Sequence, residues 1–271
     1  MTISRAEILA EMGLAPQWVR RERPLAPTAA TRSIEAQVEH DPAPAPLLEE
    51  PPPHMGVIHA PRGDADTATR VTRIAALTWG ELAADVDACN ACGLCRTRQR
   101  SVPGVGDTKA HWLFVGEAPG ADEDARGEPF VGQAGRLLDN MLGALGMSRD
   151  RNVYIANVLK CRPPDNRTPE PLEAAACRPY LERQMALLQP KIIVALGKSA
   201  ASLLLGTDAT IGSLRGRTHD YGGVPLIVTY HPAYLLRTPT DKAKVWEDLL
   251  LARRSVAASA ADDPAGTPFV A

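Results

Sequence analysis

Residues 191–205 read KIIVALGKSAASLLL, and this stretch decides the fold class. Its first part, Lys191–Leu196, is a short apolar run with β-branched residues, which is typical of a strand buried on both faces. After Gly197, the segment Lys198–Leu205 has the small and apolar residues of a short helix. A buried strand that leads directly into a helix is one unit of a parallel α/β sheet.

Further strands and helices alternate on either side of this stretch. The other apolar runs are Trp112–Gly116 (WLFVG), Val153–Val158 (VYIANV) and Pro225–Tyr230 (PLIVTY). The other helical segments are about Gly132–Leu145, Pro169–Leu188 and Asp241–Arg253, with Pro169 as the first helical residue after Thr168. The alternation predicts a three-layer α/β/α domain with a four-stranded parallel sheet. Ligands bind beyond the C-terminal ends of such strands, where three of the four strands run into polar loops.

Composition separates this domain from both ends of the chain. Residues 1–75 are predicted to hold a short helix at Ser4–Arg21 and a Pro/Ala-rich disordered linker, and residues 256–271 a disordered tail. The domain is then 76–255. The whole chain has a net charge of −2, but this domain has 22 Lys and Arg against 20 Asp and Glu. So weak a basic balance permits nucleic-acid binding without predicting it.

The sequence predicts a cytoplasmic protein. No stretch approaches the roughly 18 consecutive apolar residues of a membrane span, and the N-terminus lacks the apolar region of a signal peptide. We therefore expect no membrane partner. In a reducing compartment, the five cysteines are expected to bind metal or stay reduced rather than form disulfides.

Three of these cysteines form a C-x-x-C-x-x-C run at Cys89, Cys92 and Cys95, and Cys161 and Cys177 follow far downstream. Two cysteines three positions apart can offer both sulfurs to one metal centre. The fourth cysteine of the bacterial ferredoxin run is absent, so further ligands must come from the distant pair. The spacing leaves structural zinc and an iron–sulfur cluster open, with unligated buried thiols as a third interpretation.

The loop after Trp112–Gly116 is rich in glycine and carboxylates. It reads GEAPGADED from Gly116 to Asp124 and continues to PFVG at Pro129–Gly132. The glycines allow the backbone to approach a ligand closely. The carboxylates favour a site that stabilises a cationic transition state, and an acidic surface turn with helix-capping residues is the alternative. Phe130 is predicted to be either a core plug or a platform on which a base stacks.

Asn157 and His231 lie at the ends of two other predicted strands. An Asn amide offers a ligand one donor and one acceptor group, and capping of loop backbone is its alternative role. A single His at a strand end is more often structural, but His231 shares a sheet edge with the two other loops. Gly197-Lys198-Ser199 looks like the end of a phosphate-binding loop, but Ile192 stands where that motif requires glycine, which argues against nucleotide hydrolysis.

Four stretches together resemble the family 4 uracil-DNA glycosylases of the [4Fe–4S] type. They are GEAPGADEDARGEPFVGQAGRLLDNML, VYIANVLKCRPPDNRTPEP, IIVALGKSAA and HPAYLLR, and the similarity runs from about Cys89 to Arg254. The resemblance implies that Glu117 is the glutamate of the first motif, and that the uracil-pocket residues are Phe130, Asn157 and His231. It also implies a [4Fe–4S] cluster with the ligands Cys89, Cys92, Cys161 and Cys177.

Two positions depart from that family. Cys95 has no counterpart among the four ligands, and we treat it as a spare thiol. Ala118 stands where better-known glycosylases carry a water-activating Asp, and family 4 itself has a small residue there. The group that positions the water is therefore left open.

The implied reaction is hydrolysis of the N-glycosidic bond of flipped-out deoxyuridine, which releases uracil and leaves an intact abasic site in base excision repair. Phe130 would stack on the base, and Asn157 would read O4 and N3–H. His231 would stabilise the charge on the departing O2. Glu117 would stabilise the oxocarbenium-like sugar or position water.

The resemblance also suggests residues around this core of the site. The remaining substrate-binding residues are Gly116, Ala118, Gly120 and Glu123. We expect Glu123 or the Pro119–Gly120 turn to form a wall against the methyl group of thymine. Leu235 and Leu236 are expected to wedge into the DNA, and Arg237 to bind a phosphate.

Other functions stay open at this stage. The chain could be a uracil-DNA binder that becomes covalently trapped, although Gly206–Gly223 lacks the basic insertion of relatives that do so. It could be a redox or zinc-scaffold module without catalysis, or a glycosylase with a broader range of lesions. For the glycosylase, we expect a monomer that acts at the bacterial nucleoid on single- or double-stranded DNA, with residues 1–75 docking an unidentified protein.

Overall fold

The computed structural model describes residues 64–261. Its strands are β1 (Val105–Gly106), β2 (Trp112–Gly116), β3 (Val153–Asn157), β4 (Ile192–Leu196), β5 (Thr218–Tyr221) and β6 (Val224–Thr229). They form one sheet in the order β1-β3-β2-β4-β6-β5. The four central strands are parallel, as predicted, and their ends differ from the predicted runs by one residue at most.

Two short edge strands extend the predicted four-stranded sheet to six strands. β1 pairs antiparallel with β3, and β5 pairs antiparallel with β6. A strand of two residues shows no periodicity, and β5 alternates half-buried and exposed residues, unlike a central strand. The turn between β5 and β6 is made by Gly222 and Gly223, both at positive φ, which is the backbone that a two-residue hairpin turn requires.

Helices cover both faces of the sheet and confirm the three-layer α/β/α architecture. They are α1 (Asp64–Ala76), α2 (Trp79–Ala88), α3 (Ala121–Arg126), α4 (Gln133–Ala144), α5 (Pro171–Leu188), α6 (Lys198–Leu205), α7 (Ile211–Leu214), α8 (Pro232–Arg237) and α9 (Lys242–Ala261). Successive strand side chains point to opposite faces. Leu113 and Ile193 pack under α1, α2 and α5, whereas Phe114 and Val194 pack under α4, α8 and α9.

Helix α5 begins two residues later than predicted. Glu170 is its N-cap and Pro171 its first residue, and the Glu173 carboxylate accepts the Glu170 N–H at 2.9 Å. Both Pro169 and Pro171 satisfy the preference for proline at the first helical position, so the sequence pattern does not choose between them.

The packed domain extends beyond the predicted bounds of 76–255 at both ends. Helix α1 starts at Asp64 and buries Ile74 completely in the core, and α9 continues to Ala261. The predicted helix Ser4–Arg21, the linker and the end of the predicted tail lie outside the described residues. Within residues 64–261, no helix has the length and apolar character needed to cross a membrane.

Candidate active site

The C-terminal ends of β2 and β3 lie side by side and place Gly116 next to Asn157. A methyl group added at Gly116 would lie 2.3 Å from Asn157 Oδ1 and 2.7 Å from Phe130 Cζ. Both distances are far inside van der Waals contact, so only glycine leaves room here for the amide and the ring. Three residues distant in the chain therefore meet at this end of the sheet.

His231, directly after β6, completes this group. The ring centroids of Phe130 and His231 are 5.5 Å apart, and the ring planes are inclined by 29°. Gly197, directly after β4, lets the His231 side chain approach, because a methyl group there would lie 3.0 Å from His231 Cβ. The structure thus brings together the three pocket residues that the sequence placed on separate strand ends.

His231 uses one ring nitrogen to cap helix α8. Its Nδ1 accepts the backbone N–H of Ala233 at 3.1 Å, which assigns the ring proton to Nε2. Burial, the largest effect, lowers the pKa of His231 to about 4, although the nearby Glu123 opposes this shift. The side chain is therefore neutral near pH 7 and can donate a hydrogen bond from Nε2.

The side chain of Asn157 holds an unsatisfied acceptor. Its Oδ1 is buried, and no donor among the described residues reaches it. An unsatisfied buried polar atom costs roughly 1–3 kcal/mol, so it indicates a bound partner. The backbone carbonyl of Asn157, by contrast, accepts a hydrogen bond from Lys160 Nζ at 2.8 Å, which fixes the main chain of the residue.

Glu117 lies at the same strand end, where the Ser199 hydroxyl on α6 favours the ionised form of its carboxylate. Burial raises the pKa of Glu117, and the Ser199 hydroxyl opposes that rise. Ser199 is not among the predicted site residues, because Gly197-Lys198-Ser199 resembles the end of a phosphate loop that the preceding residues do not complete. Ser199 lies shortly after β4, at the functional edge of the sheet. This position alone would have marked it as a candidate site residue.

Two carboxylates of the acidic loop accept hydrogen bonds from backbone N–H groups. Glu123 accepts the N–H groups of Gly120 at 3.1 Å and of Val131 at 3.0 Å. The buried Asp124 accepts the Gln99 N–H at 2.9 Å. The carboxylate of Glu123 thus ties two parts of the loop together, and its use as a wall against thymine stays a prediction.

Ala118 and Gly120 shape the same loop. Ala118 packs against the core on the side of the sheet covered by α5. Gly120 is the N-cap of α3, where a methyl group would lie 2.7 Å from Glu123 Oε2. Their contribution is steric, because neither residue has a polar side-chain group for a ligand.

The predicted DNA-contacting residues on α8 fall into two groups. Leu236 and Arg237 are exposed, Leu236 to 43%. Leu235 is only 1% exposed and packs in the core with α4 and α9, so its assignment as a DNA wedge is wrong. Neighbouring residues of a helix point about 100° apart, which explains why one leucine is buried and the next is exposed.

The five cysteines line a single pocket on the face of the sheet that α2 and α5 cover. This pocket lies between Cys89, Cys92, Cys95, Cys161 and Cys177, which are all free of disulfide bonds. Cys89 ends α2, Cys92 precedes a short 3₁₀ turn, and Cys177 lies in α5. The distant thiols that the sequence spacing requires are therefore adjacent to the C-x-x-C run.

Hydrogen-bond donors surround the sulfur atoms. Arg98 donates to Cys161 Sγ at 2.9 Å, and the backbone N–H of Lys160 donates to Cys177 Sγ at 3.2 Å. Burial raises the pKa of Cys161 to about 11 and that of Cys177 to about 12. Coordination to a metal centre would be needed to keep these thiols ionised. Within the described residues, no three side chains converge as ligands of a single metal ion.

Known proteins share most of this domain. Residues 103–250 match the family described as the Uracil DNA glycosylase superfamily. The chain is 45% identical over 167 residues to the Type-4 uracil-DNA glycosylase of Archaeoglobus fulgidus, an alignment that covers 59% of this chain and 83% of that protein. It is also 45% identical over 168 residues to the Type-4 enzyme of Thermotoga maritima, covering 60% of this chain and 87% of the other.

A Type-5 uracil-DNA glycosylase from Thermus thermophilus is less similar. Its identity is 36% over 175 residues, which cover 56% of this chain and 76% of that protein. The higher identity to Type-4 proteins agrees with the motifs in the sequence. The matched region contains β1–β6 and the strand-end residues from Gly116 to His231. This chain belongs to the uracil DNA glycosylase superfamily and, within it, to the type-4 family.

Proposed function

We propose that this protein hydrolyses the N-glycosidic bond of deoxyuridine in DNA, so that uracil is released and an abasic site remains. The observation that carries the proposal is the buried, unsatisfied Oδ1 of Asn157, which lies beside Gly116 and Phe130. The N3–H group of uracil is a donor that this oxygen lacks. The relatives at 45% identity are named for the same activity.

Asn157 gives the site its preference for uracil over cytosine. With Oδ1 facing N3–H, the amide NH₂ can donate to uracil O4. Cytosine has an unprotonated N3 and an amino group at these two positions, so both buried groups of the amide would face the wrong partner. A site built on such hydrogen bonds can reject the mismatched analogue by about 10⁴-fold.

His231 stabilises the leaving base. As the bond to the sugar breaks, negative charge develops on uracil O2, and the Nε2–H group of a neutral imidazole can donate to it. Nδ1 is already held by the Ala233 N–H, so the ring is oriented before the reaction starts. Loss of one such preorganised donor typically slows catalysis by about 10²–10³-fold.

Glu117 stabilises the positive charge on the sugar and positions the water. The Ser199 hydroxyl favours the ionised form of the carboxylate. Ala118 adds no polar group beside it, so Glu117 is the candidate for both roles. On the DNA side, the exposed Leu236 fills the gap left by the flipped base, and Arg237 binds a phosphate.

We further infer that the cysteine pocket holds a [4Fe–4S] cluster through Cys89, Cys92, Cys161 and Cys177. In such a cluster each iron takes one thiolate, so the sulfurs surround a space instead of converging on one ion, which agrees with the enclosed pocket. The bound cluster would cross-link α2, the loop after β3 and α5, and so offset the entropy of closing long loops. Cys95 lines the same pocket but would not be a ligand of the cluster.

The covalent-trapping alternative finds no support in the region Gly206–Gly223. Arg215 forms an ion pair with the buried Asp248 at 3.0 Å, and His219 contacts the Leu214 carbonyl at 2.6 Å. These side chains hold the fold together. We also propose, on the sequence alone, that the protein is a cytoplasmic monomer and that the predicted arm before α1 docks a protein partner.

The test is release of free uracil from a uracil-containing oligonucleotide. Asn157→Ala and His231→Ala should each slow release by about 10²-fold or more, whereas His111→Ala, at an exposed position away from the site, should not. Wild-type rates in both variants would refute the proposal. Iron analysis and the visible spectrum of the anaerobically purified protein test the cluster separately.

A further inference from the structure

We propose that Arg149 is a positioning residue that holds Phe130 in the geometry needed to stack on the flipped base. The inference rests on the proposed function, because it takes Phe130 as the platform for uracil. Arg149 lies between α4 and β3, outside the motifs that carry the family resemblance.

Phe130 has a backbone conformation that needs external support. Its φ is +55°, in the left-handed region that a bulky residue rarely adopts. This conformation turns the ring towards Gly116 and His231. It also turns the carbonyl towards α4, where a methyl group at Gly135 would lie 1.6 Å from the Phe130 oxygen. The helix therefore presses directly against the peptide that follows Phe130.

The guanidinium of Arg149 binds this segment through its backbone. One terminal nitrogen donates to the Pro129 carbonyl at 2.8 Å, and the other donates to the Phe130 carbonyl. The Nε atom donates to Asp139 Oδ1 on α4 at 2.7 Å. The planar fork of arginine can reach these three acceptors at once, which the single ammonium of a lysine cannot do with the same geometry.

Glu123 holds the other side of the same peptide. Its carboxylate accepts the Val131 N–H at 3.0 Å, so the Phe130–Val131 peptide is bound at its carbonyl by Arg149 and at its N–H by Glu123. Both polar atoms of the unit that sets the direction of the ring are thus fixed. Arg149 reaches Phe130 only through the main chain, so it acts on the base through the ring it positions.

The Arg149–Asp139 pair is too exposed to be essential for the fold. The Arg149 side chain is 20% exposed and the Asp139 side chain 47%. Ion pairs of this kind contribute little to global stability because water screens them. Loss of Arg149 is therefore expected to affect the position of Phe130 more than the stability of the domain.

Arg149→Met should lower kcat/KM for uracil release by about 10²-fold, the size of effect that misplacement of a reacting group produces. Arg149→Lys should recover part of this loss. The matched control is Arg151→Met, since Arg151 also donates to a backbone carbonyl, that of Gly146, but at an exposed site away from Phe130. The control should retain wild-type activity, and all three variants should keep nearly the wild-type Tm.

A double-mutant cycle separates positioning from a general structural role. If Arg149 acts through Phe130, Arg149→Met should cause no further loss of activity in a Phe130→Ala background. An equal loss in both backgrounds, or wild-type activity of Arg149→Met alone, would overturn the proposal. Absence of uracil release by the wild-type protein would instead overturn the proposed function, so the two failures are distinguishable.

Discussion

At the scale of single residues, Gly116 leaves no room in the pocket for a side chain. Gly116→Ala would place a methyl group 2.3 Å from Asn157 Oδ1 and 2.7 Å from the Phe130 ring. We expect uracil release to fall by about 10²-fold or more, because both pocket groups must shift. Steady-state rates of base release, with circular dichroism to verify folding, measure this effect.

Gly143→Ala is the matched control for that substitution. A methyl group at Gly143, in helix α4, meets no atom within 4 Å. Removal of a helical glycine should stabilise the protein by about 0.5–1 kcal/mol and leave the rate unchanged. Equal rates for the two alanine variants would contradict the steric description of the pocket.

His231 should make the stability of the protein depend on pH. The folded state keeps the imidazole neutral down to its pKa of about 4, whereas the unfolded chain takes up a proton near the usual value of 6.5. Between these two pH values the unfolded state therefore binds more protons than the folded state. As the pH falls from about 6.5 to 4, His231 accordingly lowers the free energy of unfolding. His231→Gln removes this contribution, so its Tm should fall less over that window.

The comparison of the two Tm profiles isolates the imidazole. Wild type and variant share every cysteine and carboxylate, so other acid-sensitive groups contribute equally to both curves. Parallel curves for the two proteins from pH 7 to pH 4 would show that the buried, neutral state of His231 is wrongly assigned.

At the scale of elements, the cysteine pocket brings together α2, the loop after β3 and α5, which the proposed cluster would tie into one unit. If that cluster is bound, Cys161→Ser should remove its visible absorbance and lower the Tm, because these elements would lose their common cross-link. Cys95→Ser, which changes a thiol of the same pocket, should retain both the visible absorbance and the wild-type Tm. Iron content and thermal unfolding of the two variants provide the measurement; loss of colour in Cys95→Ser would place Cys95 among the ligands.

The strands predicted from sequence are those buried along most or all of their length. β2, β3 and β4 are buried along their full length, so each appears as a continuous apolar run. The edge strand β5 shows no such run, because its residues alternate between half-buried and exposed and it exists through pairing with β6. Strand pairing at an edge is a tertiary property, and a local pattern does not contain it.

At the scale of the whole molecule, topology explains which site residues were predictable. Glu117, Asn157 and His231 follow three parallel strands, and parallel strands end at one edge, so their proximity follows from the fold class. The error concerns Leu235. Its burial depends on how α8 packs, which the residue types do not reveal.

The unsatisfied oxygen of Asn157 also bears on how a round of repair ends. If uracil satisfies this acceptor as proposed, it would do so equally well after its bond to the sugar has been cut, because the amide would contact the edge of the base and need nothing from the DNA. The liberated base is therefore expected to remain an inhibitor that competes with the next lesion. Turnover in the cell would then depend on how quickly salvage or export keeps the pool of free uracil low.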